Sequence, residues 1–443
     1  MRRLLFIFSF LSLLVVDGKA QEVEILTLED CLRIGIDNNL SLEGKRKEIQ
    51  KSKYGVSENR SKLLPQITVI AGYNNNFDPP VSVTDGSSYG VPYNITKTLQ
   101  HTANAGLEMQ MPLFNQTLYT SMSIAKVMEE ISRLSYGKAR EDIIMQISKM
   151  YYLGQVTAEQ IVLIKANITR LEELRDITQA FFDNGMSMEV DLKRVNINLE
   201  NLKVQYDNAQ AMMKQQLNML KYIMDYPAEK EFVLTPVNTD SITTVALTGL
   251  SENIYELQLS QSQVRLAEKQ KKIISNGYIP SLSLTGSWRY AAYTDKGYHW
   301  FHSGPSNHWF RSYGLGLTLR IPIFDGLDKT YKIKKAMIDI ENSKLAWENA
   351  RKSLQTQYLN AVNDLMNNQR NFKKQKDNYL LAEDVYTVTS DRYREGIASM
   401  TEVLQDEMQM SEAQNNYISA HYNYRITNLM LLKLTGQIES LVK

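Results

Sequence analysis

The stretch HTANAGLEMQMPLFNQTL, residues 101–118, contains a strand pattern, a proline and the start of a helix. Alternate residues of its first part are apolar and those between them are small or polar: Ala105, Leu107, Met109, Met111 and Leu113 against Gly106, Glu108 and Gln110. This alternation predicts a β-strand with one apolar face. The strand is expected to end at Pro112-Leu-Phe-Asn115, where a long run with helical periodicity begins.

The same order returns in RSYGLGLTLRIPIFDG, residues 311–326. Adding 210 to Pro112 and Phe114 gives Pro322 and Phe324, and adding 211 to Gly185 gives Gly396. Five apolar residues spaced by seven repeat in the same way, since Leu192, Leu199, Tyr206, Met213 and Leu220 correspond to Val403, Met410, Tyr417, Tyr424 and Leu431. We interpret these matches as an internal duplication that covers nearly all of the chain.

Each copy is predicted to contain a helix, two strands and two long helices. The first copy, residues 21–225, has helices at 28–62, 115–183 and 188–225 and strands at 66–76 and 101–113. The second copy, residues 251–436, has helices at 251–277, 326–394 and 400–435 and strands at 281–293 and 311–323. Residues 226–250 are predicted as a linker, 437–443 as a tail, and 77–100 and 294–310 as exposed loops.

Apolar residues spaced by seven place a seam along one side of a helix, which then coils around a neighbour. A further aromatic seam of this kind is predicted on the helix 326–394: Phe372, Tyr379, Tyr386 and Tyr393. Such a stripe favours helix–helix packing over a ligand site. A 69-residue helix would be ~100 Å long, and few compact domains contain such a rod.

The N-terminus has the order of a secretory signal peptide, with Arg2-Arg3, an apolar run 4–16 and Gly18-Lys19-Ala20. Cleavage is predicted after Ala20, so that residues 1–20 are removed. The whole chain has 50 Lys and Arg residues against 49 Asp and Glu residues, a balance that argues against nucleic acid as a partner. No later apolar run approaches the length of a membrane-spanning helix, so any crossing must use strands.

The four predicted strands have the length and alternation of membrane strands. Aromatic residues near the loop 294–310 are placed for an interfacial girdle: Tyr290, Tyr293, Trp300, Trp309, Phe310 and Tyr313. A soluble sheet with one wet face would also alternate, but it would not explain the girdle and the signal peptide together. Four strands cannot close a barrel. Two copies would give eight strands around a filled interior, and three would give twelve around a wider one, which favours three for a conduit.

The duplicated order, with Pro112–Asn115 and Pro322–Gly326 at the strand-to-helix junctions, resembles the TolC family of outer-membrane efflux proteins. So do the turns Phe182–Gly185 and Tyr393–Gly396, each followed by an acidic residue six places later. The resemblance implies a mainly α, duplicated TolC-like fold: a homotrimer with a 12-strand transmembrane β-barrel in outer-membrane lipid, continued by a long periplasmic α-helical barrel. Residues near 226–250 and the C-terminal tail would form its equatorial belt.

The resemblance also implies function. It predicts a passive exit duct, not an enzyme, that docks with a periplasmic adaptor protein and an inner-membrane pump of the RND, ABC or MFS type. The family closes its tunnel with acidic residues and a tyrosine–arginine network. By position, the acidic places correspond to Asp191, Glu402 and Gln405, and the tyrosine corresponds to Tyr393. The second acidic place on the later helix is therefore a glutamine, Gln405, and the place of the basic residue is occupied by Ala398. We expect Arg194 or Arg392 to substitute for the missing basic residue.

The turns at the helix ends are the predicted adaptor contacts: Asn184, Gly185, Met186 and Ser187, with Glu395, Gly396, Ile397, Ala398 and Ser399. An alternative role for Asp191 and Glu402 is helix capping, because both lie in a first helical turn. No cofactor and no metal site is predicted. Two other classes of protein stay open at this point, a trimeric outer-membrane anchor or adhesin and a periplasmic helical scaffold.

Overall fold

The computed structural model describes residues 24–97, 99–236, 249–294 and 308–442. The predicted signal peptide, residues 237–248 of the predicted linker and residues 295–307 of the predicted loop lie outside the described residues. The strands are β1 (Glu24–Leu26), β2 (Gln66–Asn75), β3 (Val81–Asp85), β4 (Tyr93–Lys97), β5 (His101–Phe114), β6 (Phe232–Leu234), β7 (Ser281–Thr294) and β8 (His308–Arg320). The α-helices are α1 (Leu28–Asn38), α2 (Leu40–Ser61), α3 (Gln116–Asp183), α4 (Glu189–Met224), α5 (Tyr255–Asn276), α6 (Asp328–Arg394) and α7 (Met400–Leu434).

The helix bounds repeat along the chain. Adding 215 to the ends of α2, residues 40 and 61, gives 255 and 276, the ends of α5. Adding 211 to the start of α4, residue 189, gives 400, the start of α7, and the two helices have 36 and 35 residues. The mainly α, duplicated fold class predicted from the sequence is therefore confirmed.

The chain divides into two compact units, and each is built from separate segments. The sheet unit contains Ser41–Arg140 and Leu250–Tyr358. The helical unit contains the residues up to Leu40, Glu141–Gly249 and Leu359–Lys443. In the described part of the chain, no helix is long and apolar enough to cross a membrane.

The main sheet of the sheet unit has the strand order β2-β5-β7-β8, with every neighbouring pair antiparallel. Its register aligns apolar residues on one face, as in the row Val69, Leu107, Trp288 and Tyr313, all of which are exposed. The next row, Thr68, Glu108, Ser287 and Gly314, belongs to the opposite, polar face. On that face Arg289 forms an ion pair with Glu108.

The four helices attached to these strands contact one another in the same order. Ser52 of α2 hydrogen-bonds Ser132 of α3 at 2.7 Å, and Asn276 of α5 donates to Thr120 of α3 at 2.6 Å. Next to α5, the ring of Tyr278 lies 5.1 Å from the ammonium of Lys329 on α6. The helix order follows from the sheet, because each helix leads directly into a strand or out of one.

Two predicted segments are wrong in detail. The predicted loop 77–100 contains the hairpin β3–β4, in which β-branched residues such as Val83 and Ile95 pair across the strands. The predicted single helix 28–62 breaks at Asn39, whose ψ of 119° is not helical. The side-chain amide of Asn39 donates to the carbonyl of Ile223 at 2.8 Å, near the end of α4, so a tertiary contact ends the helix there.

The helical unit is held together by the predicted seams. Val403, Met410, Tyr417, Tyr424 and Leu431 are all buried on α7. Phe372 and Tyr379 of α6 stack against Tyr417 with ring centroids 5.8 and 5.7 Å apart. The interpretation of the aromatic stripe as helix–helix core is therefore confirmed.

The helical unit also contains the short parallel pair of β1 with β6. Cys31 of α1 is buried in this unit, and its burial raises the pKa of the thiol to about 12.

Gly106 of β5 tests the close pairing of the central strands. A Cβ at Gly106 would lie 2.4 Å from the carbonyl oxygen of Trp288 and 2.8 Å from Cα of Arg289, so backbone atoms would have to move. We expect Gly106→Ala to lower the free energy of unfolding of the sheet by about 1–3 kcal/mol, measured by thermal unfolding followed by circular dichroism.

The matched control is Gly314→Ala on the same face of β8, where the nearest atom is Oγ of Ser287 at 4.0 Å. Equal effects of the two substitutions would contradict the close contact between β5 and β7.

Candidate functional site at the helix tips

The turns that join α3 to α4 and α6 to α7 have the same geometry. Gly185 and Gly396 have φ values of 72° and 75°, in the left-handed region. The backbone amide of Met186 donates to the backbone carbonyl of Phe181 at 2.7 Å, and that of Ile397 donates to the backbone carbonyl of Arg392 at 2.8 Å. These bonds satisfy the last carbonyls of each helix, and the left-handed residue makes them possible. Glycine is favoured at both positions for this conformational reason.

The predicted tip residues form an exposed surface. Asn184, Gly185, Met186, Glu395, Gly396, Ile397 and Ser399 are exposed, and Ser187 and Ala398 are half-buried. Two of the exposed side chains, Met186 and Ile397, are large and apolar. No atom lies within 4 Å of a Cβ placed on Gly185 or Gly396, so the space beside each turn is open. Within one chain, the tips are therefore an exposed and partly apolar surface.

Glu402 caps the start of α7. Oγ of Ser399 accepts from the amide of Glu402 at 3.3 Å, and Oε2 of Glu402 accepts from the amide of Ser399 at 2.8 Å. This reciprocal pair is a capping box. The hydrogen bonds from Ser399, with the nearby positive charge of Arg392, hold the pKa of Glu402 below its usual value. Glu402 therefore caps its helix as a charged group.

Asp191 behaves differently in the corresponding turn of α4. The N-cap residue there is Met188, whose side chain makes no capping hydrogen bond. The carboxylate of Asp191 instead pairs with Arg194 at 3.2 Å. The two helix starts are therefore not equivalent, because capping hydrogen bonds form at Glu402, whereas Asp191 lies in the first turn of α4 without them.

Tyr393 lies behind the tips in the core of the helical unit. Its ring centroid is 5.6 Å from that of Phe181, and its hydroxyl is 3.3 Å from the hydroxyl of Thr178 on α3. Burial raises the pKa of Tyr393, and the negative charge of Asp191 raises it further. Tyr393 and Asp191 are therefore close enough to interact electrostatically within one chain. Gln405 is exposed, one turn beyond the capping box.

The structure contains a polar seam on α7 that the sequence analysis missed. Five buried polar residues occur at intervals of seven, the first four on α7 and the last directly after it: Glu407, Gln414, His421, Asn428 and Thr435. The signal was present, because these residues have the same spacing as the apolar seam from Val403 to Leu431 and lie four positions later. Polar residues in a helix are usually assigned to the solvent face, which hid the pattern.

Residues of α3 face this polar seam. Asn167 donates to Gln414 at 2.7 Å, and both side chains are buried. Arg425, one turn after His421, donates through Nε to Nε2 of His421 at 2.9 Å. Nδ1 of His421 faces Oε2 of Glu159 at 3.5 Å. The packing of α7 against α3 therefore depends on specific polar pairs as well as on apolar contact.

Comparison with known proteins agrees with this architecture. The model of the family described as outer membrane efflux protein matches residues 34–224 and again residues 246–437. The chain belongs to the outer membrane efflux protein family. The double match coincides with the internal repeat, and it covers most of the 443 residues.

Relatives of this outer membrane efflux protein are named as outer-membrane and efflux proteins. Outer membrane protein TolC of Vibrio cholerae is 21% identical over 396 residues, which cover 86% of this chain and 84% of the relative. The probable efflux pump outer membrane protein TtgC of Pseudomonas putida is 23% identical over 382 residues, with 81% and 75% coverage. The protein is accordingly an outer-membrane protein of a channel family.

Solved structures of outer-membrane channels have the same fold. The Campylobacter jejuni CmeC outer membrane channel superposes with a TM-score of 0.75 at 17% identity, covering 93% of this chain and 85% of that one. Outer membrane protein VceC from Vibrio cholerae gives a TM-score of 0.73 at 14% identity, with 92% and 96% coverage. The resemblance to the TolC family found in the sequence is thereby confirmed.

The capping box gives a prediction for Ser399. We expect Ser399→Ala to destabilise the first turn of α7 by about 1 kcal/mol, because the amide of Glu402 loses its partner. Hydrogen exchange of residues 400–404 should quicken by roughly fivefold in consequence. Met188→Ala is the matched control at the start of α4, where no cap is lost. Equal acceleration at both helix starts would contradict the asymmetry.

The charge of Glu402 gives this effect a pH dependence. Because the pKa of Glu402 is lowered in the folded chain, its carboxylate stabilises α7 above the pKa that it has in the unfolded chain. This contribution is lost as the pH falls through the lowered value. Glu402→Gln should therefore exchange faster than the native chain at neutral pH, and the difference should vanish in acid. A constant difference across this range would contradict a role for the charge.

Proposed function

We propose that three copies of this chain form a passive exit duct of a tripartite efflux or type I secretion system. The proposal depends on one observation, which is that the main sheet has two open edges. β2 and β8 each have one neighbour within the described part of the chain. An open strand edge is not tolerated in hydrocarbon, so the edges of a membrane sheet must be closed by further strands.

A second copy supplies a suitable partner for each edge. Because all three pairings in the sheet are antiparallel, β8 runs opposite to β2, and β8 of one copy can pair with β2 of the next as another antiparallel pair. Three copies then contribute twelve strands to a closed ring, wide enough for an open interior. The apolar face would contact outer-membrane lipid, and the polar face would line the lumen.

The helical unit has unpartnered apolar seams that support the same assembly. On α4, Val190, Ile197 and Val204 are exposed and spaced by seven. On α6, Leu359, Met366 and Leu380 are exposed at the same heptad position, which Lys373 interrupts. Seams of this kind are buried when helices of neighbouring copies coil together. These two helices therefore offer the contacts that a periplasmic helical barrel requires.

We assign the segments of the chain accordingly. Residues 1–20 are the signal peptide, 21–225 and 251–436 are the two repeats, and 226–250 with the tail 437–443 form an equatorial belt. The pairing of β1 with β6 (Phe232–Leu234) and the short helix Ile438–Val442 in the tail support this assignment.

The tips are the proposed contact with a periplasmic adaptor, because they combine exposed apolar side chains with open space. The adaptor would connect the duct to an inner-membrane pump of the RND, ABC or MFS type, which supplies the energy. The duct itself would perform no catalysis. A conduit differs from an outer-membrane anchor or adhesin in the role proposed for the barrel interior. The proposed lipid-facing sheet would be absent from a periplasmic scaffold.

We place the channel constriction at Asp191, Glu402, Gln405 and Tyr393. Three copies would bring several carboxylates around one axis, where like charges repel anions and attract cations. Arg194 and Arg392 would moderate this charge, since Arg194 pairs with Asp191 and Arg392 lowers the pKa of Glu402. They take the place of the basic residue that Ala398 does not provide.

Single-channel recording in planar bilayers tests the duct and its constriction together. We expect the native protein to form cation-preferring channels, and Asp191→Ala with Glu402→Ala to reduce that preference and weaken block by divalent cations. The control is Glu200→Ala, which removes an exposed carboxylate farther along α4.

Absence of any channel from an assembled trimer would contradict the duct. Unchanged conductance and unchanged cation block in the double variant would contradict only the placement of the constriction.

Gly396→Asn tests the tip contact. Asparagine tolerates the left-handed region and has space for its side chain, so the turn and the trimer should remain intact. The added side chain should block the adaptor, measured as loss of the cross-linked complex recovered from intact cells and identified by mass spectrometry. Gly44→Asn, at an open glycine of α2, is the control. A normal yield of the complex from Gly396→Asn would exclude this contact.

A further inference from the structure

Arg170 of α3 lies where three helices of the helical unit meet. Its guanidinium donates to Glu383 of α6 at 3.1 Å and to Asn167 of its own helix at 2.7 Å. It also lies 6.0 Å from the ring centroid of Tyr386. Asn167 in turn donates to Gln414 of α7 at 2.7 Å. A continuous polar chain therefore runs from α6 through Arg170 and Asn167 to α7.

Two buried atoms beside this chain are left without hydrogen bonds. Within the described residues, Nε of Arg170 has no acceptor, and Oε1 of Glu407 on α7 has no donor. Glu407 is only 4% exposed. Burial raises the pKa of Glu407, and the positive charge of Arg170 opposes that rise, so the two groups interact through space. A buried donor and a buried acceptor of complementary charge each carry the cost of desolvation without a bond.

The two carboxylates around Arg170 differ in their access to water. The side chain of Glu383 is 32% exposed, so water can solvate it when the arginine leaves. Glu407 has no such access, and its charge is best stabilised by the guanidinium. The planar guanidinium has several donors and can accept a new partner through a change of rotamer. An exchange of partners keeps one arginine–carboxylate pair in each arrangement.

We propose that Arg170 is a positioning residue with two arrangements, in which it binds either Glu383 of α6 or Glu407 of α7. The structure contains the first arrangement. Glu383 lies shortly before the end of α6 at Arg394, and Glu407 lies shortly after the start of α7 at Met400. The exchange therefore moves the attachment of α3 from one side of the tip turn 395–399 to the other. It sets where Tyr393 and Glu402 are held.

Hydrogen exchange of the purified full-length protein in detergent tests the exchange without any transport assay. Glu383→Gln removes the partner seen in the structure and should drive Arg170 to Glu407. We expect residues 375–394 of α6 to exchange roughly tenfold faster and residues 400–410 of α7 to exchange more slowly. Arg170→Met should quicken exchange in both segments. Glu407→Gln removes only the second arrangement and should leave α6 as protected as in the native chain, or more so.

Neighbouring exposed carboxylates provide matched controls: Asp384→Asn on α6 and Glu412→Gln on α7 should change neither segment. The decisive result is that Glu383→Gln changes hydrogen exchange in opposite directions in α6 and α7. If Arg170 and Glu383 formed only a static ion pair, its loss would not slow the exchange of α7. Loss of protection in both segments, or no gain in α7, overturns the proposal. Glu383→Asp keeps the charge and shortens the side chain, so it should change the exchange rates of α6 and α7 in the same opposite directions but by less. If neither rate changes in this variant, the proposal is also overturned. Because the readout is local protection, it is independent of whether the duct conducts.

Discussion

Backbone hydrogen bonding at the edges of the main sheet is the constraint on which the molecule depends. β2 and β8 end the sheet within one chain, and outer-membrane lipid offers no water to satisfy their outward amides and carbonyls. The same strand order decides the order of α2, α3, α5 and α6, because each helix adjoins one strand. A single pairing scheme thus fixes both the lipid-facing layer and the helices that lead away from it.

The elements with strong periodicity could be predicted from the sequence. Alternation across Ala105–Leu113 placed β5, and the seven-residue seam from Val403 to Leu431 placed the core of α7. The glycine turns were also predictable, because Gly185 and Gly396 adopt the left-handed conformation that ends a helix. The break at Asn39 was not predictable, since it depends on the distant carbonyl of Ile223. The hairpin β3–β4 was hidden among residues that also suit a loop.

The site was predictable in position but not in chemistry. The spacing after each glycine turn located Asp191 and Glu402, yet only the contacts in the folded chain separate the capping carboxylate from the one paired with Arg194. The polar seam of α7 was missed because Gln414 and His421 suggest a solvated surface when the facing helix is unknown. Both side chains are buried, and Asn167 and Arg425 donate hydrogen bonds to them in the interior. Polar pairs of this kind fix the axial position of one helix on another more strictly than interchangeable apolar contacts do.

The two repeats differ by offsets of 215 for the helices before the strands and 211 for the last long helices. Most of this change falls in the segments that contain the strands and their connecting loops, because Pro112 corresponds to Pro322 at an offset of 210, and a single residue of it lies between Phe114 and Gly185. A residue inserted into a long helix would rotate everything after it by about 100° around the helix axis and turn the seam away from its neighbour. A difference in length is therefore tolerated most readily in the loops between the strands, while the long helices tolerate an insertion only near whole heptads. The loops between the strands can thus change in length without shifting the register of one long helix against the next.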